Sequence, residues 1–402
     1  MTVHDVSDVR VAGPLGLYAD GFGRQLAGRG YRPGTVRRHM RLTAQVSEWL
    51  ENRGLGPEGL EPGAVREFLR QRRASGYQQL LTEKALEPLL GYLRANGIRV
   101  QAGEEAEQSP EEIILARYGQ YLSTERGVSA GRIRNTQSVV RPFLAGLGGT
   151  EPGRLTAGAV HEFLTAEAGR RSGKGAGCVV SALRSFLRFL YAEGIIASPL
   201  ADAVPPVASW ALAGLPRFLE EDQVRALLAS CDTETAAGKR DLAVLTLLLR
   251  LGLRGFEAAA LTLDDINWRR GEIALRGKGN REDLLPVPAD VGNVLASYLA
   301  DARPGTASGR TVFTRLRAPH APLTAAGVRR IVHRAAARAG LDGVSAHRLR
   351  HTAATGMLRA GAPLSEISQV LRHSRPQTTA IYAKVDTEAL RELAAPWPGT
   401  AA

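Results

Sequence analysis

The sequence predicts a mainly α-helical protein with one small antiparallel β-sheet, an α+β fold, on two observations. Apolar residues recur at helical spacing along most of the chain, as Leu183, Phe186 and Leu190 illustrate. The stretch 271–288 instead alternates apolar and polar residues, turns through Gly-Lys-Gly-Asn and alternates again, which is typical of a β-hairpin. A chain of 402 residues is long enough for two or three such domains.

Two breaks divide the chain into three blocks. The segment 99–112 is acidic and polar and has no apolar period, so it is predicted to be a linker. The second break lies in 203–219, where Pro205, Pro206 and Pro216 exclude a continuous helix. We therefore expect three domains, at 1–100, 110–203 and 216–402.

The first two blocks resemble each other. The peptide GAVREFL at 63–69 recurs as GAVHEFL at 158–164, and 86–98 shares six identical residues in register with 183–195. This near-constant offset predicts that the first block is a duplicate of the second helical domain. The alternative is that two unrelated amphipathic bundles have similar patterns.

The charge of the chain favours a polyanionic partner, nucleic acid first. The formal net charge is +12 and the sequence pI is about 10.2. The N-terminus carries acidic residues where a signal peptide needs an apolar core, and no apolar run approaches the roughly 20 residues that span a bilayer. Cys178 and Cys231 lie far apart, and we expect both to be buried, reduced thiols in a cytoplasmic protein with no membrane partner.

A dense group of cationic and imidazole side chains lies in the sequence HRLRH. His347, Arg350 and His351 share one face of a predicted helix and occupy its first turns, where the helix dipole favours an anion. A guanidinium group can bind two phosphate oxygens, and a neighbouring imidazole can donate a hydrogen bond or move a proton. The alternatives are a solvated basic face or, less favoured without a partnering acid, a metal site.

Further motifs follow one order along the third block. Arg254 and Glu257 lie in LGLRGFE, Lys278 lies in the hairpin turn, His373 lies in LRH, and Tyr382 lies in TTAIY. Together with HRLRH, this ordered set resembles the catalytic domain of the tyrosine recombinases, the phage integrase family, over about 216–395. The block at 110–203 resembles that family's helical, SAM-like core-binding domain, so two N-terminal DNA-binding domains are expected.

The resemblance implies that a tyrosine breaks one DNA strand, leaving a 3′-phosphotyrosyl link and a free 5′-hydroxyl. Tyr382 matches the nucleophile, and the covalent link keeps the bond energy, so the ends can be rejoined without ATP. Arg254 and Arg350 match the arginines that clamp the phosphate, and His373 matches a neighbouring hydrogen-bond donor. No cofactor and no metal ion is implied.

The remaining matched residues either transfer protons or support the other site residues. His347 matches the acid or base that helps the tyrosine lose its proton, and Lys278 matches the acid that protonates the leaving 5′-oxygen, for which arginine is a poor donor. Glu257 and His351 match supporting positions. Arg372 departs from the family pattern, because it stands where the family usually has glycine before the histidine.

Three further arginines are expected to contact DNA: Arg134, Arg184 and Arg348. The resemblance implies a bacterial, nucleoid-associated enzyme that acts on double-stranded DNA with inverted-repeat sites. It would act as a homotetramer on paired sites and be a monomer or weak oligomer when free. The leading function is integration or mobilisation of a genetic element, of the integrase or transposon type. The alternatives are a dimer resolvase with the same chemistry, a type IB topoisomerase and a catalytically silent DNA-binding accessory protein.

Overall fold

The structure is a computed structural model, and it describes most of the chain. The described residues are 9–100, 109–147, 152–170, 173–206, 217–276, 282–307, 309–372, 379 and 381–382. The chain divides into two compact units, one of residues 1–60, 64–100 and 212–402 and one of residues 61–63 and 101–211. The division into three domains stays a prediction.

Residues 9–100 form a helical bundle with its own apolar core. Phe22, Leu26, Val46 and Leu50 are fully buried in that core. Ser47, also buried, accepts a hydrogen bond from the backbone of Leu15 at 3.0 Å and so fixes the N-terminal turn against the second helix. The helices are α1 (Gly16–Gly28), α2 (Pro33–Glu51), α3 (Pro62–Ala74) and α4 (Glu83–Ala95), with 3₁₀ turns at Gly13–Leu15 and Pro57–Gly59.

The second unit is also helical and has an aromatic core. Tyr118, Phe143, Phe186 and Phe189 pack against one another with ring centroids 5.1 to 6.5 Å apart. The side chain of Ser109 caps the first helix of this unit. Its helices are α5 (Pro110–Thr124), α6 (Ala130–Gly146), α7 (Ala157–Arg170) and α8 (Gly173–Ala192), with 3₁₀ turns at Pro152–Arg154 and Leu200–Ala203, and the duplication stays a prediction.

The expectation that both cysteines are buried is wrong for one of them. Cys231 is buried, but Cys178 is exposed. Cys178 lies on α8 one position before Val179, which begins the apolar stripe continued by Leu183 and Phe186. Composition alone could not tell on which side of that stripe the thiol would lie.

The C-terminal block is helical with one small antiparallel sheet, which confirms the predicted fold class. The strands lie in the order β1-β2-β3, and Ile273 is paired with Leu285 so that both side chains enter the core. The predicted hairpin is therefore present. The elements are α9 (Glu221–Ala229), α10 (Ala236–Arg250), α11 (Gly255–Ala260), β1 (Ile266–Asn267), β2 (Glu272–Arg276), β3 (Glu282–Pro286), α12 (Ala289–Ser297), a π-helical turn (Tyr298–Ala302), α13 (Ala325–Arg338), α14 (Ala346–Arg359) and α15 (Leu364–Val370).

Helix α10 forms the centre of this block, and α12, α13 and α14 pack on it. Residues 243–249 of α10 are all buried, which explains why every residue among them except Thr246 is apolar. None of the helices in the described ranges has both the length and the apolar character that a membrane span requires. The turn after α10 and the start of α14 meet at one end of this core, where the residues of the candidate site lie.

Candidate active site

The first turns of α14 position the predicted histidines and arginine. The Oγ of Ser345 accepts a hydrogen bond from the backbone N–H of Arg348 at 3.2 Å and so caps the helix. His347, Arg350 and His351 follow on one face, as predicted. Arg350 is 4 % exposed, whereas His347 is exposed.

His351 connects the tyrosine hydroxyl to the second histidine. Its Nδ1 lies 2.8 Å from the Oη of Tyr382, and its Nε2 lies 3.0 Å from the Nε2 of His347. Tyr382 is 1 % exposed and packs with Ala354 and Leu371. The three side chains therefore form a hydrogen-bonded chain from a buried phenol to an exposed imidazole.

The buried position of Tyr382 keeps its hydroxyl protonated. Burial raises the pKa of Tyr382 to about 12, although the nearby charge of Arg350 acts to lower it. At neutral pH the phenol is therefore neutral and a weak nucleophile. A reaction at this oxygen needs a group that accepts the proton as the new bond forms.

Arg350 is held by backbone carbonyl groups. Its guanidinium donates hydrogen bonds to the carbonyl oxygens of Gly252 and Leu371. Gly252 has a φ of 58°, and a Cβ there would lie 2.5 Å from the Cδ2 of Leu371, so a side chain does not fit. Burial, together with the charges of Arg254 and Arg372, lowers the pKa of Arg350 to about 10, so the guanidinium remains charged at neutral pH.

Arg254 is fixed by Glu257 at the start of α11. The Oε1 of Glu257 accepts from the Nη1 of Arg254, and its Oε2 accepts from the backbone N–H of the same residue, both at 2.7 Å. Burial acts to raise the pKa of the Glu257 carboxyl, but these bonds and the charge of Arg372 outweigh it and hold the pKa below its usual range. The carboxylate is therefore charged and holds Arg254 in one geometry.

Arg372 adopts the backbone conformation that glycine would adopt. Its φ is 53°, a region that costs a non-glycine residue about 1–2 kcal/mol. Its Nη2 donates to the Oε2 of Glu257 at 2.7 Å, and its carbonyl oxygen accepts from the Nη2 of Arg254 at 3.1 Å. The departure from the family pattern therefore lies in direct contact with two matched residues.

Several predicted site residues are not brought to this cluster or cannot be placed. Lys278 and His373 lie outside the described residues. Arg348 donates to the carbonyl oxygens of Phe218 and Asp342, the longest bond being 3.4 Å.

The two other arginines expected to contact DNA lie in the second unit. Arg184 donates to the carbonyl of Val204 at 2.7 Å, and Arg134 is exposed on α6. Contact of these three arginines with DNA stays a prediction. Within the described ranges no three His, Cys, Asp or Glu side chains lie close enough to hold a metal ion, and metal independence likewise stays a prediction.

Sequence reasoning underestimated two residues of this site. His351 was interpreted as a supporting residue, whereas the structure places it at the Tyr382 hydroxyl. Its spacing of four from His347 was a signal for their contact, but no local pattern predicts the contact with Tyr382. Arg372 was recognised only as a departure, because its partner Glu257 is 115 residues away in the sequence.

Comparison with known proteins places this site in a family. The family model described as "Phage integrase family" matches residues 217–389. A putative integrase/recombinase of Sinorhizobium fredii, y4rA, is 41% identical over 396 residues, which cover 97% of this chain and 96% of that protein. The chain belongs to the phage integrase family, the tyrosine recombinases.

Other relatives match this recombinase over part of its length or in fold. The tyrosine recombinase XerD of Listeria monocytogenes is 32% identical over 291 residues, 70% of this chain and 96% of that protein. The XerH recombinase bound to a palindromic difH substrate has a TM-score of 0.55 at 19% identity, covering 83% of this chain and 94% of that one. A lambda integrase in a tetramer bound to a Holliday junction has a TM-score of 0.53 at 17% identity, covering 73% and 86%. These two structures have the same fold as this chain.

Proposed function

We propose that the protein is a site-specific DNA recombinase that cleaves and rejoins strands through a 3′-phosphotyrosyl intermediate. The observation that carries the proposal is the buried hydroxyl of Tyr382, 2.8 Å from an imidazole nitrogen, close to a charged and largely buried arginine. A nucleophile, a proton acceptor and fixed positive charge are the groups that this reaction requires.

In the first step, the Oη of Tyr382 attacks the scissile phosphorus, and the bond from phosphorus to the 5′-oxygen breaks. The phenol proton passes to the Nδ1 of His351, which lies within hydrogen-bond distance. With Nδ1 accepting, the Nε2 of His351 carries a proton and donates to the Nε2 of His347. Because His347 is exposed, the proton can then pass from its imidazole to solvent.

The arginines stabilise the negative charge that develops on the phosphate. Arg254 and Arg350 are held by protein groups before DNA binds, so little reorganisation is needed at the moment of reaction. His373 would add a hydrogen bond, and Lys278 would give the leaving 5′-oxygen its proton. Attack of a 5′-hydroxyl from a second duplex on the phosphotyrosine reverses the step and releases Tyr382.

The proposed partner is double-stranded DNA that carries inverted-repeat sites. The net charge of +12 supports binding to phosphates. Exchange between two duplexes breaks four strands, and one tyrosine serves each strand, so a homotetramer on paired sites is proposed. The proposed place of action is the bacterial cytoplasm, at the nucleoid.

The proposed biological role is integration or mobilisation of a genetic element. The relative that matches along nearly the whole chain is named an integrase/recombinase, whereas the XerD match spans 70% of this chain. Resolution of DNA dimers is the second candidate, supported by the XerD relatives. A plasmid with two direct repeats of the site tests resolution, and two separate plasmids with one site each test integration.

The test of the chemistry begins with finding the target. Full-length Tyr382→Phe protein is used to select a bound duplex, here named the selected duplex, from random-sequence DNA over repeated rounds. Nicked versions of the selected duplex then carry a nick a few nucleotides beyond each candidate scissile phosphate. Cleavage releases the short fragment and traps the protein on the DNA.

The wild-type protein should form an adduct that survives denaturing electrophoresis, at one phosphate of the nicked duplex. Tyr382→Phe should bind the same duplex equally well and form no adduct. An adduct from the variant would contradict the assignment of Tyr382. If the wild type forms no adduct at any phosphate, the proposed function is wrong.

A further inference from the structure

Arg372 combines an unfavourable backbone conformation with a buried charge. Among the described non-glycine residues, only Leu80 and Arg372 have positive φ, a region where the Cβ crowds the following carbonyl oxygen. The side chain of Arg372 is 8% exposed, and its Nε is buried without a hydrogen-bond partner in the described part of the chain. A glycine would avoid both costs, so the guanidinium itself needs an explanation.

The contacts of Arg372 converge on the residues that hold Arg254. Its Nη2 bonds to the same oxygen of Glu257 that accepts from the backbone of Arg254, each at 2.7 Å. Its carbonyl oxygen accepts from the guanidinium of Arg254 at 3.1 Å, and its Nη1 donates to Val370 at 2.8 Å. Arg372 is therefore coupled to Arg254 both directly and through the carboxylate.

The charges of Arg372 and its neighbours explain the effect of its contacts with Glu257 and Arg254. Arg254, Glu257, Arg350 and Arg372, here named the arginine cluster, hold three positive charges and one negative charge. Without Arg372, the buried carboxylate of Glu257 would offset the charge of Arg254, and one net positive charge would remain. With Arg372 as a second partner for Glu257, two net charges remain for a phosphate whose negative charge increases in the transition state.

We infer that Arg372 is a positioning residue that neutralises Glu257 and fixes Arg254, so that the full charge of Arg254 acts on the scissile phosphate. This inference rests on the proposed function. A direct phosphate contact by Arg372 is disfavoured because its side chain has little accessible surface and is bonded to Glu257. The strained backbone is tolerated because the ion pair with Glu257 holds the residue there.

The first test measures single-turnover adduct formation on the nicked selected duplex at saturating protein, together with the dissociation constant and the melting temperature. Arg372→Met keeps the bulk and removes the charge, Arg372→Gly suits the backbone, and Arg372→Lys keeps the charge. We expect Arg372→Met and Arg372→Gly to lower the rate about 10-fold or more, a smaller loss than the 10²–10³ expected on removing a direct transition-state donor. Arg372→Lys should keep most of the wild-type rate, and the dissociation constant should change less than about 3-fold in all three variants.

The second test asks whether the effect passes through Glu257. In the Glu257→Gln background the carboxylate that links Arg372 to Arg254 is absent, so Arg372→Met should lower the rate there less than it does in the wild type. A residue that only supports the fold would lower the rate equally in both backgrounds. Arg359→Met is the matched control, because Arg359 forms an exposed ion pair with Glu220 outside the arginine cluster.

Three outcomes would overturn the inference. The first is wild-type rates for Arg372→Met and Arg372→Gly. The second is a rate loss that follows only the melting temperature and is not recovered by Arg372→Lys. The third is weaker DNA binding with an unchanged rate at saturation, which would make Arg372 an ordinary DNA contact. Absence of any adduct from the wild type is a different result, since it rejects the proposed function and this inference with it.

Discussion

The Nδ1 of His351 lies 2.8 Å from the hydroxyl oxygen of Tyr382, although 31 residues separate them in the sequence. His347, the histidine that matches the family's acid or base, lies one hydrogen bond further from the tyrosine. The geometry thus separates two roles that the sequence assigned to one residue. In the proposed reaction His351 receives the proton, and His347 passes it on.

His351→Ala should lower the rate of adduct formation at pH 7 by about 10²-fold or more, the usual contribution of a positioned base. Because the pKa of Tyr382 is raised to about 12, the phenolate fraction increases tenfold for each pH unit below that value. The rate of the variant should therefore rise about tenfold per unit from pH 7 to 9. The wild-type rate should rise less steeply, since the imidazole already accepts the proton.

Two histidine variants control this experiment. His347→Ala should have a smaller effect than His351→Ala, because its Nε2 contacts His351 and not the phenol. His333→Ala, an exposed histidine on α13, should leave the pH profile unchanged. A larger loss for His347→Ala than for His351→Ala would contradict the proposed order of the relay.

Arg254→Ala and Arg350→Ala should each lower the rate of adduct formation at saturating DNA by about 10²–10³ while changing DNA affinity little. The reason is that both guanidinium groups act on charge that develops in the transition state. Arg250→Ala is the matched control, because this exposed arginine pairs with Asp290 at 2.7 Å. Equal losses of rate and affinity would show that the arginine is an ordinary phosphate contact.

Arg350 also donates hydrogen bonds to two backbone carbonyl oxygens, so Arg350→Ala is expected to lower the stability of the protein as well as the rate. Arg350→Lys keeps the charge but not the forked geometry, and its melting temperature should fall less than that of Arg350→Ala. A rate loss in Arg350→Lys, measured well below its melting temperature, would separate the chemical role from the structural one. A wild-type rate would show that charge alone, without the fork, is sufficient.

Local patterns predicted much of the fold and of the site. The period-two pattern gave the hairpin, and the spacing in HRLRH gave one face of α14, because each depends on neighbouring residues. The contact of His351 with Tyr382 and that of Arg372 with Glu257 depend on how distant segments pack. No spacing within a motif contains that information.

Lys278→Ala should cleave the ordinary nicked duplex slowly but should be rescued by a duplex whose 5′-bridging oxygen is replaced by sulfur. A thiolate leaves without being protonated, so the missing acid no longer limits the rate. The prediction rests on the sequence, since Lys278 lies outside the described residues. The ratio of rates on the two substrates is the measurement. Equal impairment on both would make Lys278 a binding residue.

The last prediction concerns the first block as a DNA-binding domain. Arg37, Arg38 and Arg41 are exposed on α2, which suits contact with phosphates along one side of the bundle. Replacing all three by alanine in the full-length protein should remove up to three phosphate contacts. Each lost contact should make the fall of log K with log salt shallower by about 0.9.

The matched control replaces the same three arginines by lysine, which keeps the charge and should keep the salt dependence. Adduct formation at saturating protein should be unchanged in both triple variants, because the candidate active site is elsewhere in the chain. The alternative is that duplication left the first block with a protein-contact role. In that case the alanine variant would keep the wild-type salt dependence but fail to assemble paired sites, and the expected DNA contact of α2 would be wrong.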